Sequence, residues 1–143
     1  MLAGARLEQC TSLGGGCSQQ AWRLVLNDDR LLFAKQGRLA MLEAEQRGLA
    51  ALHAAADPAD LVVPEPLALL PVGSDAGLLV LPWLDQGRGD QTALGRGLAR
   101  LHRHSSEQGE VRFGWPCDGF IGLGPQPGGW REHWGDAFVE LRL

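Results

Sequence analysis

Near the N-terminus the hydrophobic positions follow the period of β-strands. A polar triplet, NDD at 27–29, separates two runs of strand-forming residues, QAWRLVL (20–26) and RLLFAKQ (30–36). Because Asn and Asp favour turns, this pattern predicts a β-hairpin. The preceding segment LEQCTSL (7–13) is predicted to add a third strand, which gives a small antiparallel sheet.

Residues 38–56 change to a helical pattern. Leu42, Leu49 and Leu52 recur at helical spacing, and alanine is abundant around them. Asp57-Pro58 ends the run, because proline cannot continue a helix. The segment is therefore predicted to be an amphipathic helix that follows the hairpin directly.

The chain then returns to an extended pattern before a polar connector. LLVLPWL (78–84) has the continuous apolar character of a buried strand, which ends at Pro82. The Gly-, Asp- and Gln-rich segment 85–91 is predicted to be a connector. A second helix follows it. The apolar stripe of this helix consists of Leu94, Leu98 and Leu101.

The C-terminal third is predicted to contain a loop and one more helix. Residues 109–129 are rich in Gly and Pro and are expected to be mostly loop. The next apolar positions fall three or four residues apart, which predicts an amphipathic helix still running at Leu143. Its stripe consists of Trp130, Trp134, Phe138 and Leu141. The whole order predicts an α+β fold, with a sheet-and-helix lobe followed by the beginning of a helical lobe.

Composition narrows the classes of function. With 143 residues, 45% of them hydrophobic, the chain is long enough to bury a core. A net charge of −4 argues against nucleic acid as a partner, since phosphate backbones bind concentrated basic surfaces. No segment approaches the roughly 18 uninterrupted apolar residues of a membrane helix, so no membrane partner is expected. Three cysteines without CxxC spacing favour neither a disulfide framework nor a zinc site, which predicts a cytoplasmic protein.

Two charged residues fall on faces that the pattern assigns to the core. Lys35 continues the Leu31 and Phe33 face of its strand, and Glu45 lies three residues after Leu42 on the helix. An ion pair between them would satisfy both charges, and the lysine would keep donors for a phosphate. In the alternative, Lys35 extends to the edge of the sheet and Glu45 is an ordinary surface residue. The pattern alone leaves both open.

A glycine triplet lies between the first two predicted strands. Such a triplet is costly in conformational entropy, so it indicates a tight hairpin, a flexible joint or a loop that wraps a phosphate. The GxxxxGK[ST] motif is absent, and GGGCSQQ lacks the GxGxxG spacing of a dinucleotide fold. A glycine loop followed by a strand lysine and then a helix glutamate is, however, the phosphate-binding layout of protein-kinase-like folds.

The sequence resembles the fructosamine kinase (ketosamine-3-kinase) family, relatives of the aminoglycoside phosphotransferases. The similar stretches cover nearly the whole chain in family order. They are LGGGCSQQAWRL, LLFAK, MLEAEQRGLAAL, VVPEPLAL, LLVLPWL, LGRGLARLHRHS and RFGW…GFIGLGPQPGGWREHWGDAFVELRL. The resemblance implies a protein-kinase-like N-lobe over 1–84, a hinge over 85–91 and the start of a helical C-lobe, truncated, over 92–143.

The resemblance also implies roles for particular residues. The glycine-rich nucleotide loop would be formed by Gly14, Gly15, Gly16, Cys17 and Ser18. Lys35 would bind the ATP phosphates, and Glu45 would be its partner on the helix. The hinge that contacts adenine would be formed by Pro82, Trp83 and Leu84. Family members usually carry Glu where this chain has Pro82, which keeps a carbonyl acceptor but has no N–H.

The reaction implied is transfer of the ATP γ-phosphate, with Mg²⁺, to a sugar hydroxyl of a ketosamine, either a small molecule or a glycated protein or amine. The His-Gly-Asp run, the following Asn and the later metal-binding Asp of the family do not occur in this sequence. We therefore expect no catalytic residue and no metal ligand in this chain, which alone would be inactive. It would be a fragment or a natural truncation, and its uncovered apolar surface would favour self-association.

Two other functions remain open from the sequence. One is a kinase of the same fold that phosphorylates another hydroxyl compound, of the aminoglycoside or choline type. The other is a non-catalytic module that binds nucleotide or another protein. Substrate choice depends on the lobe that the sequence lacks, so the residues present do not separate these functions.

Overall fold

A computed structural model describes residues 4–14, 20–85, 87, 89–108 and 112–143. The chain divides into two compact units, Met1–Ala54 with Val62–Asp90, and Ala55–Leu61 with Gln91–Leu143. Among the described residues, no helix combines the length and the apolar character that crossing a bilayer requires.

The first unit is built on a five-stranded sheet in which every neighbouring pair of strands is antiparallel. The strands are β1 (Leu7–Leu13), β2 (Ala21–Leu26), β3 (Leu31–Arg38), β4 (Ala68–Val72) and β5 (Ala76–Pro82). Their spatial order is β1-β2-β3-β5-β4. Helix α1, Leu39–Ala55, follows β3 without a loop. The predicted hairpin, third strand, first helix and buried strand are thus confirmed.

The turn between β2 and β3 has the geometry that its Asn-Asp sequence predicts. The N–H of Asp29 donates to the carbonyl of Leu26 at 3.1 Å, and the N–H of Leu26 donates to the carbonyl of Arg30 at 3.0 Å. Asp29 has a φ of 62°, the left-handed conformation that closes a three-residue hairpin loop. The Arg30 side chain donates a hydrogen bond to Asp28, which lowers the pKa of that carboxyl.

Apolar side chains are buried on both faces of the sheet. Helix α1 covers one face, where the buried residues are Leu42, Leu79 and Leu81, with Phe33, Leu49 and Leu69 packed against them. The other face buries Leu26, Leu32, Ala34 and Val80. Gly77 lets α1 approach β5, because a side chain there would come within 3.0 Å of Leu39 and 3.3 Å of Leu42.

One predicted member of the α1 stripe is exposed. Leu52 is 45% exposed, whereas Leu42 is fully buried. At about 100° per residue, Leu52 lies about 80° around the helix from Leu42, while Leu49 lies only about 20° away. The stripe that faces the sheet is therefore narrower than the sequence pattern indicates.

The second unit contains two helices and two small antiparallel ribbons. The helices are α2 (Gln91–Gln108) and α3 (Trp134–Arg142), and the strands are β6 (Phe113–Trp115), β7 (Gly119–Ile121), β8 (Gly124–Gln126) and β9 (Gly129–Arg131). Strand β6 pairs with β9, and β7 pairs with β8. On α2, Gly97 leaves room for the main chain of Asp60, because a side chain there would come within 2.9 Å of the Asp60 carbonyl oxygen, and the Arg100 guanidinium forms an ion pair with the Asp60 carboxylate.

Two predictions for this unit were wrong. The segment 109–129 was expected to be mostly loop, but its described part contains three short strands and the first residue of a fourth. The last helix was expected to include Trp130, which instead lies in β9 opposite Gly114. Gly114 and Gly129 have φ values of 142° and 126°, conformations that glycine adopts readily and other residues rarely do. These glycines bring the two main chains close together, a long-range pairing that hydrophobic spacing does not reveal.

The C-terminal stripe is only partly buried. On α3, Ala137 and Leu141 are buried, but Trp134 and Phe138 are 62% and 42% exposed. The rings of Trp134 and Phe138 stack with their centroids 5.1 Å apart. An exposed pair of stacked aromatic rings is thus a surface feature of this unit.

Candidate functional site

Strand register places Lys35 on the face of the sheet that α1 covers. Lys35 lies opposite Ala21 of β2 and Leu79 of β5. Directly opposite residues share a face, and Leu79 is fully buried in the cluster beneath α1. The Lys35 side chain is accordingly 18% exposed. A lysine at this position needs a partner, since burial of an unpaired ammonium is costly.

Glu45 of α1 provides that partner. The Lys35 Nζ lies 2.5 Å from the Glu45 Oε2, and the Glu45 side chain is 35% exposed. On the helix, Glu45 lies about 60° around the axis from Leu42, at the edge of the buried stripe. Of the two interpretations that the sequence left open, the structure contains the ion pair. The ammonium has three donors, so the pair leaves donors for a further acceptor.

The predicted glycine loop begins beside Lys35, at the same row of directly opposite residues across the strands. Leu13 pairs with Ala21, and Ala21 pairs with Lys35, so the segment between β1 and β2 leaves the sheet at the row of Lys35. Gly14 follows β1, and a Cβ built on it would meet no atom of the described residues within 4 Å. The other four predicted loop residues, Gly15, Gly16, Cys17 and Ser18, lie outside the described residues.

The predicted hinge residues follow β5 directly. The Trp83 N–H donates to the carbonyl of Leu31 at 3.1 Å, which makes Leu32 and Pro82 a non-hydrogen-bonded pair of the ladder. The Pro82 carbonyl therefore points away from β3. Proline has no N–H and the Trp83 N–H is used, so Leu84 carries the next main-chain donor after the sheet. Leu84 is 41% exposed.

Sequence reasoning missed Arg23, which lies on the same face as Lys35. Arg23 is opposite Phe33, and Phe33 is opposite Leu81. The Arg23 guanidinium lies over the indole ring of Trp83, 5.4 Å from the ring centroid. A signal was present, because the period of two that places Ala21 on this face also places Arg23 there.

Metal-binding clusters and surface grooves are the other features of the chain that could carry chemistry. Across the parts of the chain that the structure describes, no group of three or more His, Cys, Asp or Glu side chains is placed to hold a metal ion. An open groove of about 620 Å³ is lined by Gln36, Arg38 and Asp75, among others. Gln36 and Arg38 alternate with Lys35, so they belong to the opposite face of β3. The groove is separate from the Lys35 row.

Comparison with known proteins finds fructosamine kinases and related ketoamine kinases in each case. Residues 2–143 match the family described as fructosamine kinase. The chain is 37% identical to a probable ketoamine kinase from Synechocystis, over 96% of this chain and 46% of that protein. It is 30% identical to a chloroplastic protein-ribulosamine 3-kinase from rice, over 93% of this chain and 39% of that protein. The chain thus spans about half the length of the curated relatives it matches.

Solved structures have the same fold. A candidate fructosamine-3-kinase from Haemophilus somnus superposes with a TM-score of 0.78 at 22% identity, over 96% of this chain and 46% of that one. Another, from Thermobifida fusca, gives a TM-score of 0.73 at 24% identity, over 98% of this chain and 48% of that one. These likenesses confirm the predicted kinase-like architecture, an antiparallel sheet with a helix.

Proposed function

Because the chain belongs to the fructosamine kinase family, we propose that it supplies the ATP-binding part of a kinase that phosphorylates the sugar of ketosamines. The observation that carries the proposal is the Lys35–Glu45 ion pair, at 2.5 Å on the helix-covered face of the sheet. A lysine held in this way is a fixed positive charge beside the point where the glycine segment leaves the sheet. Triphosphate is the ligand that such an arrangement suits best.

The phosphate end of the site is assigned to Lys35 and the glycine segment. The remaining donors of Lys35 neutralise the α- and β-phosphates, and Glu45 keeps the ammonium in position. The main-chain N–H groups of Gly14, Gly15, Gly16, Cys17 and Ser18 bind the phosphate oxygens, which glycine permits because it has no Cβ in the way.

The base end is assigned to the hinge residues. The Pro82 carbonyl is an acceptor and the Leu84 N–H is a donor. Adenine presents the complementary pair, a donor at its amino group and an acceptor at N1, whereas guanine presents an acceptor, O6, in place of the amino group. The hinge therefore selects adenine, and the loss of an N–H at Pro82 does not change this selection, because the carbonyl makes the contact.

The transfer step is assigned to the remainder of the kinase. Transfer of the γ-phosphoryl group needs a carboxylate that orients the sugar hydroxyl and ligands that hold Mg²⁺. We assign no magnesium ligand and no catalytic residue to this chain, because the His-Gly-Asp run, the following Asn and the later metal-binding Asp of the family do not occur in its sequence. The relatives are about twice as long as this chain, and the missing groups are proposed to lie in their additional length. The 143-residue chain alone is expected to transfer no phosphate.

The substrate assignment follows from the relatives. Their names, ketoamine kinase and protein-ribulosamine 3-kinase, describe sugars joined to amines, and we assign the same substrate class here, as a small molecule or a glycated protein. Two lobes, 1–84 and 92–143, joined by the connector 85–91, remain our proposal for the domain organisation, and the cytoplasm is our proposal for the location. A kinase for another hydroxyl compound, or a non-catalytic module, would share the nucleotide site but not the substrate.

Calorimetric titration with Mg²⁺–ATP tests the proposal. Lys35→Met should weaken ATP binding by about 10- to 100-fold, since it removes charge-assisted hydrogen bonds. Arg38→Met is the matched control, because it removes a cation from the same strand but from the opposite face and should leave affinity unchanged. Circular dichroism checks that both variants are folded. Absence of ATP binding in the wild type, or equal affinity in Lys35→Met, would contradict the proposal.

A further inference from the structure

Trp83 is contacted by two oppositely charged side chains where β5 ends. The Arg23 guanidinium lies over the ring, 5.4 Å from its centroid, and the indole Nε1–H donates to the Asp85 Oδ1 at 3.0 Å. The Trp83 main-chain N–H is bound to the Leu31 carbonyl. Trp83 is therefore fixed at its main chain, at its ring face and at its ring edge.

The two contacts of the ring reinforce each other. A cation is attracted to the negative face of an aromatic ring. When the indole N–H donates to a carboxylate, the ring becomes more electron-rich, which strengthens its attraction for the guanidinium. Within the described residues, no ion pair joins Arg23 to a carboxylate. The half-buried guanidinium of Arg23 thus has the ring of Trp83 as its observed partner.

Trp83 lies between the two residues that carry the proposed adenine contacts. Any rotation of its main chain would move the Pro82 carbonyl and the Leu84 N–H together. We propose that Arg23 is a positioning residue that, with Asp85, holds Trp83 and so fixes the main chain of 82–84 for the base of the nucleotide. This inference rests on the proposed function.

A direct phosphate contact by Arg23 is disfavoured by its position. Arg23 is a diagonal neighbour of Lys35 across β2 and β3, which places their Cα atoms about 7–8 Å apart. Its side chain extends to Trp83, just after the end of β5, rather than towards Leu79, which lies opposite Lys35. Its influence on affinity should therefore act at the base end of the ligand.

Adenosine, which has the base without the phosphates, separates the two ends. Arg23→Met should lower the affinities for adenosine and for ATP by the same factor, about three- to tenfold. The reason is that a smaller fraction of molecules then holds Trp83 in the binding geometry. Lys35→Met should weaken ATP and leave adenosine unchanged. Arg23→Lys should recover part of the loss, since an ammonium also binds the ring face. Arg38→Met is again the control without effect.

A double variant tests whether Arg23 acts through Trp83. In a Trp83→Leu background, Arg23→Met should have no further effect on adenosine affinity, whereas a residue with a separate structural role would give additive losses. The inference would be overturned if Arg23→Met left adenosine affinity unchanged, whether or not it lowered ATP affinity. It would also be overturned if the losses in the double variant were additive. If ATP binds and Lys35→Met weakens it, such a result leaves the proposed function intact. A wild type that binds neither ligand overturns both.

Discussion

Replacing Glu45 by Gln is the most informative single change to the ion pair. The amide keeps the shape and an acceptor oxygen but loses the charge that holds Lys35. Lys35 and Glu45 are 18% and 35% exposed, so water reaches the pair but does not surround it. The substitution therefore asks how much of the stability and of the nucleotide affinity depends on the charge alone.

The magnitude follows from this partial burial. Exposed ion pairs contribute about 0.2–1 kcal/mol, and removing one partner of a buried pair costs about 3–5 kcal/mol. The Lys35–Glu45 pair lies between these limits and nearer to the exposed one. We expect Glu45→Gln to lower the free energy of unfolding by about 1–2 kcal/mol. Without the charge of Glu45, Lys35 is no longer held in the orientation that binds phosphate. If the binding free energy of ATP falls by a similar amount, ATP affinity decreases by about 5- to 30-fold.

Urea denaturation and ATP titration measure the two effects separately. Glu43→Gln is the matched control, since Glu43 lies two residues away on an exposed face of α1 and should change neither quantity. In the exchanged pair, Lys35→Glu with Glu45→Lys, much of the stability should return, while ATP affinity should stay low because the cation now extends from the helix. Wild-type ATP affinity in Glu45→Gln, or in the exchanged pair, would refute the reasoning.

Two further predictions concern the burial of α1 and the exposed aromatic pair of α3. Leu42→Ala should lower the free energy of unfolding by about 2–5 kcal/mol in urea denaturation, because Leu42 is fully buried. Leu52 is 45% exposed, so Leu52→Ala should lower it by less than about 1 kcal/mol. Equal losses in the two variants would contradict the burial of α1. The exposed, stacked rings of Trp134 and Phe138 should promote self-association of the isolated chain. The double variant Trp134→Ser with Phe138→Ser should therefore sediment more as a monomer. Val139→Ser, on the same helix, is the control and should leave sedimentation unchanged. A wild type that is already monomeric at high concentration would contradict this role.

The sequence was sufficient where local period and register decide the structure. A period of two put Lys35 on the face of Phe33, and helical spacing put Glu45 beside Leu42. These two patterns meet because α1 follows β3 without a loop. The hairpin was predictable for a similar reason, since its turn depends on the residues at 27–29 themselves.

The rest depends on contacts between distant residues. The pairing of β6 with β9 needs glycines with positive φ at two remote positions, and neither position has a hydrophobic period that marks it. The contact between Arg23 and Trp83 joins β2 to the residue that follows β5, and β2 and β5 are remote in sequence and separated in the sheet by β3. The sequence placed Arg23 in its strand and the end of the other strand at Pro82, directly before Trp83, but only the strand order brings the two side chains together.

Lys35 is the single lysine of the chain, which allows the central claim to be tested at one atom. In a sample labelled with ¹⁵N at the lysine side chain, one Nζ resonance reports the ammonium that Glu45 holds. Mg²⁺–ATP should shift this resonance saturably, while adenosine should change it far less. An Nζ resonance that stays in place while calorimetry shows ATP binding would mean that the phosphates are bound elsewhere, and the account would be wrong.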